Sequence, residues 1–324
     1  MGIEEPAVGT GRAHGKAILL GEHTVVYGSP AIAVPLPALT ATARARAGTG
    51  FGFGVGTCAP EPGASYRFRI AAGNPAEQGS DFRAAVEAAL SERELPREGV
   101  ELALWCTIPV QRGLGASAAC TAACVRAVTD MNGSGIEATT LYRLVQRGEQ
   151  VTHGRASGVD ASAVISARPI WFEAGTARPI VTTLEAVLVV ADTGIVGSTK
   201  QAVELVRRRL ETDSAAPRLL TRAAVIIAAA AADLRTGDAK ALGSRLNDFH
   251  LMLDRLGVSS PEIEHLVRAA REAGALGAKL TGGGLGGCVL ALAENGNAAE
   301  KVADALMAAG AVRTWTVGIG GTAR

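Results

Sequence analysis

The segment PVQRGLGASAACTAACVRA (residues 109–127) constrains the fold more than any other part of the chain. A strand ends near Pro109, a glycine-containing turn follows, and a helix of alanine, serine, threonine and cysteine begins. A helix with so little side chain is suited to tight packing against its neighbours. Its first turn also leaves backbone N–H groups without intrahelical partners, which attract anions. Glycines there let the backbone close on a phosphate without obstruction. Ser117 adds a hydroxyl that suits a phosphate or Mg2+. Gly113, Gly115 and Ala118 fit the G-x-G-x-x-A pattern of dinucleotide-binding turns, but Pro109 to Arg112 separate the strand from the first glycine. No G-x-x-x-x-G-K-[ST] loop occurs in the chain. From these residues alone, a phosphate site and a plain packing turn both stay open.

Strands and helices interleave along the rest of the chain, so the class is α/β or α+β. KAILL (16–20) and AIAVPL (31–36) read as strands around the polar turn GEHTVVYGSP, and 37–46 alternates apolar and polar residues as a half-exposed strand does. Residues 47–64, rich in Gly, Pro and Ala, read as a mobile loop, followed by strand 66–70, a helix over 81–94 and strand 101–108. Helices are expected at 116–131 and 139–153, and a strand at 169–174. A GTARP linker and a buried strand at 184–192 place a boundary near 175–185, giving domains 1–182 and 183–324. Helices over 199–211, 217–236 and 238–256, another from Pro261, one over 297–309 and a closing strand RTWTVGI complete the pattern.

The 324 residues carry a net charge of +1, which gives no electrostatic reason to expect nucleic acid or a membrane surface. The longest apolar run, Ala223 to Ala232, is too short to span a bilayer. Five irregularly spaced cysteines do not form a secreted disulfide framework, and the N-terminus shows no basic region before an apolar stretch. A cytoplasmic protein is expected. Only five of the 32 basic residues are lysines (Lys16, Lys200, Lys240, Lys279 and Lys301), so a lysine inside a motif is conspicuous.

Three further clusters are candidates for chemistry. Lys16 opens an apolar strand, where an ammonium is unusual, and Glu22 and His23 occupy the turn that follows. Within EQVTHGRASGVD, Glu149 borders an apolar helix face, as a solvated edge residue or a cation ligand, and Asp160 closes a loop, as a turn residue or a proton acceptor. In TGGGLGG (281–287), Gly282, Gly283, Gly284, Gly286 and Gly287 precede a strand and not a helix, which excludes a Rossmann turn. The entropy lost on ordering such a loop favours close approach to a ligand over a mere connection.

Taken in order, GKAILLGEHTVVYGSPAIAVPL (15–36), PVQRGLGASAA (109–119), EQVTHGRASGVDA (149–161), ADTGIVGSTK (191–200) and KLTGGGLGGC (279–288) resemble the motifs of the GHMP kinase superfamily. The GEH turn, the HGxxSGVD loop and the GSTK segment are similar to those of its mevalonate kinases, of the bacterial type. The resemblance implies an α+β fold with an N-terminal ribosomal-S5-like domain, a C-terminal ferredoxin-like domain and an interdomain active-site cleft. It implies ATP as co-substrate, Mg2+ as cofactor, mevalonate as acceptor and a possible homodimer. Asp160 and Lys16 match its catalytic pair, and Ser117 and Glu149 its metal ligands. Arg112, Gly113, Leu114, Gly115, Ala116, Ser117, Ala118 and Ala119 match its phosphate loop, with Gly282, Gly283 and Gly284 assisting. Glu22, His23 and Thr199 match positions on the acceptor side. Ala116 stands where the family usually has a serine, so weaker nucleotide affinity or altered geometry, not inactivity, is expected, and Arg155-Ala156 stands where many relatives carry a proline before the serine, which bears on loop rigidity. The rivals are another kinase of this superfamily, acting on phosphomevalonate or homoserine, a non-catalytic binding protein, or a dinucleotide-dependent oxidoreductase.

Overall fold

The structure is a computed structural model, and it describes residues 7–47, 65–70, 80–95, 100–153, 156–214 and 216–320. Residues 48–64 of the glycine-rich stretch and Arg155 lie outside them. The chain divides into two compact units. One comprises Met1–Lys16, Leu36–Val110 and Gly115–Ile165, and the other Ala17–Pro35, Gln111–Leu114 and Ser166–Arg324. Contacts thus divide the chain elsewhere than at 182/183.

The first unit is built on β1 (Val8–Leu20), β2 (Ala31–Ala47), β3 (Ser65–Ile70) and β4 (Val100–Cys106), the first two of which run on into the second unit. β4 lies between β3 and β2, antiparallel to both, with Ala41 opposite Cys106 and Ser65 opposite Trp105, while β1 pairs with β2. Along β2 the expected alternation holds: Ala41, Ala43 and Ala45 are buried, whereas Thr42 and Arg44 are exposed. Pro35 and Pro37 do not interrupt β2. Ala31–Ala33 of β2 register with β5 (Ile170–Glu173) and Ala41–Ala47 with β4, and both prolines fall between these two ladders.

Helices α1 (Ser80–Glu92), α2 (Ala116–Asp130) and α3 (Ala138–His153) pack on one another, and the short α4 (Val159–Ala163) packs on α2 and α3. The tiny residues of α2 have a direct cause. β1 passes so close that a Cβ on Gly11 would sit 2.0 Å from the Ala123 carbonyl oxygen, and one on Gly9 2.1 Å from that of Ala127. Residues Ala118 to Val125 of α2 are all buried.

In the second unit a hairpin of β5 (Ile170–Glu173) and β6 (Thr176–Pro179) pairs with the start of β2. The GTARP segment is therefore a strand and not a linker. Ala174 and Gly175, both at positive φ, make the two-residue turn that its sequence does not advertise. The principal sheet runs β10-β7-β9-β8, all antiparallel, from β7 (Ala186–Asp192), β8 (Gly277–Thr281), β9 (Cys288–Ala293) and β10 (Arg313–Ile319). Between β7 and β8 come α5 (Thr199–Thr212), α6 (Ala216–Thr236), α7 (Ala239–Arg255) and α8 (Pro261–Glu272), and between β9 and β10 comes α9 (Gly296–Ala308). In chain order the strands of this sheet stand 4-1-3-2, which with the crossover helices is the ferredoxin-like arrangement expected from the motifs. No single helix among the described residues is long and apolar enough to cross a membrane.

The β1–α2 contact makes a specific prediction. Gly11→Ala forces the strand away from α2 and is expected to cost roughly 3 kcal/mol of stability, read as a lower urea midpoint. An unchanged midpoint would show that the interface yields.

Candidate active site

In the first unit, β1 ends its run with Lys16, whose side chain is 2% exposed. Its ammonium lies 2.9 Å from Asp160 Oδ1, and Asp160, in the first turn of α4, is 37% exposed on its side chain. One partner is thus held inside the fold while the carboxylate meets solvent. Gly158, at φ 98°, starts α4 and aims Asp160. Gly115 starts α2 at φ 76°, and no side chain caps the helix there. A Cβ on Gly115 would meet Lys16 Cγ at 2.9 Å and Val164 Cγ1 at 3.1 Å. Glycine is therefore needed for the open end of α2 to rest directly on Lys16.

Ser117 Oγ, one residue into that helix, donates a 2.7 Å hydrogen bond to Glu149 Oε1 on α3, and Glu149 is buried. A hydroxyl and a carboxylate, both oxygen donors beside a free helix N-terminus, suit a small hard cation whose remaining positions are filled by phosphate oxygens and water. No cluster of three or more His, Cys, Asp or Glu side chains fit for a metal occurs among the described residues. Gly115, Ala116 and Ser117 are half-buried, Ala118 is buried and can offer a ligand only its backbone, and the buried Ala119 already donates its N–H to the Gly115 carbonyl at 2.9 Å, so it is not available to a phosphate.

The second unit assembles a different set. Glu22 and His23 occupy the turn after β1, both buried. Lys279 of β8, with no exposure at all, donates from Nζ to Glu22 Oε1 and to the Leu280 carbonyl. Burial and the Lys279 ammonium push the His23 ring down to about 4, against a hydrogen bond to the Gly283 backbone that pulls it up. Thr199, at the start of α5, lies against the same glycine: a Cβ on Gly283 would sit 2.5 Å from Thr199 Oγ1. His23, Gly283 and Thr199 are thus brought together.

Two further placements qualify the sequence reading. Gly113 and Gly282 pack backbone to backbone, since a Cβ on Gly282 would lie 2.7 Å from Gly113 Cα, and one on Gly284 would lie 2.4 Å from the Val258 carbonyl oxygen. Part of the glycine demand comes from these chain-on-chain approaches. Arg112 turns to Asp192, 2.8 Å from its Oδ1, and donates to the Gly194 carbonyl at 3.1 Å, while Leu114 is buried. The guanidinium is therefore committed largely to bracing the loop on the end of β7. Sequence reasoning assigned no role to Lys279 or Asp192. The scarcity of lysine was the clue available for Lys279, because two of the five lysines, Lys16 and Lys279, prove to be buried.

Known proteins match this fold and these motifs. Residues 82–168 match the family model for the GHMP kinases N terminal domain, and residues 230–312 that for GHMP kinases C terminal. Fold and motifs together thus define a GHMP kinase. A mevalonate kinase of Pyrococcus horikoshii is 34% identical over 313 residues, covering 93% of this chain and 92% of its own, and one of Thermococcus gammatolerans is 35% identical, covering 92% of each. The solved structure of L. major mevalonate kinase in complex with R-mevalonate superposes with a TM-score of 0.80 at 28% identity, covering 98% of both chains. The chain belongs to the mevalonate kinase family. These two curated relatives are archaeal, so they lend no support to a bacterial grouping.

The buried histidines set a pH dependence. His250 on α7 is also held down to about 4, chiefly by burial, helped by Arg271 and Lys279 and opposed by Glu264, whose Oε1 is 2.9 Å from its Nε2. Folding keeps both rings neutral, whereas the unfolded chain takes up their protons near pH 6.5. Their contribution to stability is complete above that pH and is lost as pH falls toward about 4, on the order of 3 kcal/mol for each ring. Urea denaturation at steps between these limits should show the decline, and His250→Gln should flatten it.

Proposed function

We propose that this chain transfers the γ-phosphoryl group of ATP to the 5-hydroxyl of (R)-mevalonate, forming 5-phosphomevalonate and ADP. The observation that carries the reading is the Lys16–Asp160 pair lying against the uncapped N-terminus of α2. The high-coverage similarity to mevalonate kinases supplies the acceptor. In this reading the first-turn N–H groups from Gly115 to Ala118 receive phosphate oxygens, whereas the Ala119 N–H is taken by the Gly115 carbonyl, and Arg112, Gly113, Leu114 and Gly282 to Gly284 contribute backbone by the same resemblance. Ser117 and Glu149 hold Mg2+, which when bound neutralises phosphate charge. Glu22, His23 and Thr199 bind the acceptor.

The chemistry asks chiefly for positioning and charge neutralisation. The 5-hydroxyl oxygen bonds to Pγ as the bond from Pγ to the bridging oxygen of ADP breaks. The hydroxyl proton passes to Asp160, which is exposed enough to meet the acceptor. Lys16, anchored inside the fold, keeps Asp160 oriented and stabilises negative charge developing on the acceptor oxygen. We also propose a cytoplasmic setting, supported by Cys106, Cys120, Cys124 and Cys288 being buried and outside any disulfide, and a homodimer by analogy with the class.

ADP release from MgATP should be strong with (R)-mevalonate and negligible with phosphomevalonate or homoserine, and Asp160→Ala should lower turnover by roughly 10²–10⁴-fold. Turnover on another acceptor would retain the kinase and reject mevalonate. Ala116→Ser, which restores a hydroxyl beside the helix N-terminus, is expected to lower the KM for ATP several-fold, on the order of one added hydrogen bond.

A further inference from the structure

We infer that Lys279 is a positioning residue for the acceptor: its ammonium holds the Glu22 carboxylate and, through it, the turn that presents His23. The inference deepens the phosphotransferase reading and rests on it. Lys279 and Glu22 are 0% and 2% exposed, so their charges interact without solvent screening. Lys279 Nζ is fixed from three sides, by Glu22 Oε1, by the Leu280 carbonyl and by the Phe249 ring centred 5.7 Å away. Position is therefore imposed on the carboxylate by the rigid β8 strand.

The turn needs such an anchor. Gly21 stands at φ 111° and His23 at φ 62°, a left-handed backbone that is uncommon outside glycine and that the surroundings of the turn must support. His23 Nε2 is buried with no protein partner among the described residues. A buried polar atom left over in this way is matched by a hydroxyl or carboxylate oxygen of the acceptor. The groups that face this ring are Lys279 from β8, Glu22 beside it in the turn and the Gly283 backbone. His250 of α7, with Glu264 and Arg271, stands behind Lys279. An ammonium rather than a second carboxylate next to His23 keeps the ring neutral, so it offers one donor and one acceptor. Stability alone is a weak reason for the pair, because a buried ion pair is often replaceable by apolar side chains without loss.

The test is a double-mutant cycle on the full-length enzyme with Lys279→Met, Glu22→Gln and the double variant, reading KM for acceptor and for ATP separately. Wild type is assayed first on mevalonate, phosphomevalonate and homoserine, and the acceptor it uses serves throughout, so a wrong acceptor rejects mevalonate without touching the role of Lys279. Each single variant should raise the acceptor KM roughly tenfold or more, with the KM for ATP within about threefold of wild type, and the double should be no worse than either single. Should Lys279→Met not fold, Glu22→Gln and the double variant should share one acceptor KM. Parallel rises in both KM values, or multiplied effects in the double, would overturn the inference and leave Lys279 a structural residue. A wild type that uses none of the three acceptors would overturn both readings.

Discussion

A lysine ammonium inside the first unit makes most of the candidate active site necessary. Lys16 is buried with its charge, a state that is tolerated only when the charge is paired. Its partner Asp160 comes from 144 positions further along, taking 160 minus 16, and reaches it because α4 starts on a left-handed glycine. The stem of the same lysine is the floor on which Gly115 and the open end of α2 rest. One side chain therefore sets the place of a carboxylate and of a helix N-terminus together. These are the two features that phosphoryl transfer requires, a site for anionic oxygens and a group to orient the nucleophile.

The second unit solves a related problem with the opposite emphasis. Lys279 and Glu22 are both buried, so neither end of that pair is offered to solvent, and His23 beside them is held neutral. Where Lys16 leaves a carboxylate exposed for chemistry, Lys279 immobilises one. Thr281 reinforces the arrangement by bonding both the N–H and the carbonyl of Ile18, which ties β8 to the strand that leads into the Glu22 turn. Arg112 and Asp192 brace the Gln111–Leu114 segment in the same unit.

Much of this was legible in the sequence where local physics dominates. Helices α5, α7, α8 and α9 begin where expected, within a residue, because Ser198, Asp238, Ser260 and Asn295 each cap the first turn with a side-chain oxygen. The ferredoxin-like strand order followed from the motifs and not from periodicity. Features set by distant contacts were hidden. The first half of β1, with glycines and polar residues, reads as no strand, because its glycines answer to the pressure of α2. The β5–β6 hairpin turns on Ala174 in a left-handed conformation that alanine does not announce. Lys16, Glu149 and Asp160 could be picked out as candidates from the residues, but the pairing of Lys16 with Asp160 and of Ser117 with Glu149 was implied only by the resemblance, since no local pattern joins them. Lys279 lay in a recognised motif and went unassigned, since its partner Glu22 is 257 positions away.

The central claim is that Asp160, oriented by Lys16, meets the acceptor hydroxyl next to the N-terminus of α2. A crystal structure of the enzyme with (R)-mevalonate and a non-hydrolysable ATP analogue tests it most directly. The account predicts the 5-hydroxyl oxygen within about 2.6–3.2 Å of an Asp160 carboxylate oxygen, and phosphate oxygens on the N–H groups that open α2. A 5-hydroxyl bound away from Asp160, or a triphosphate that leaves that helix end empty, would contradict it.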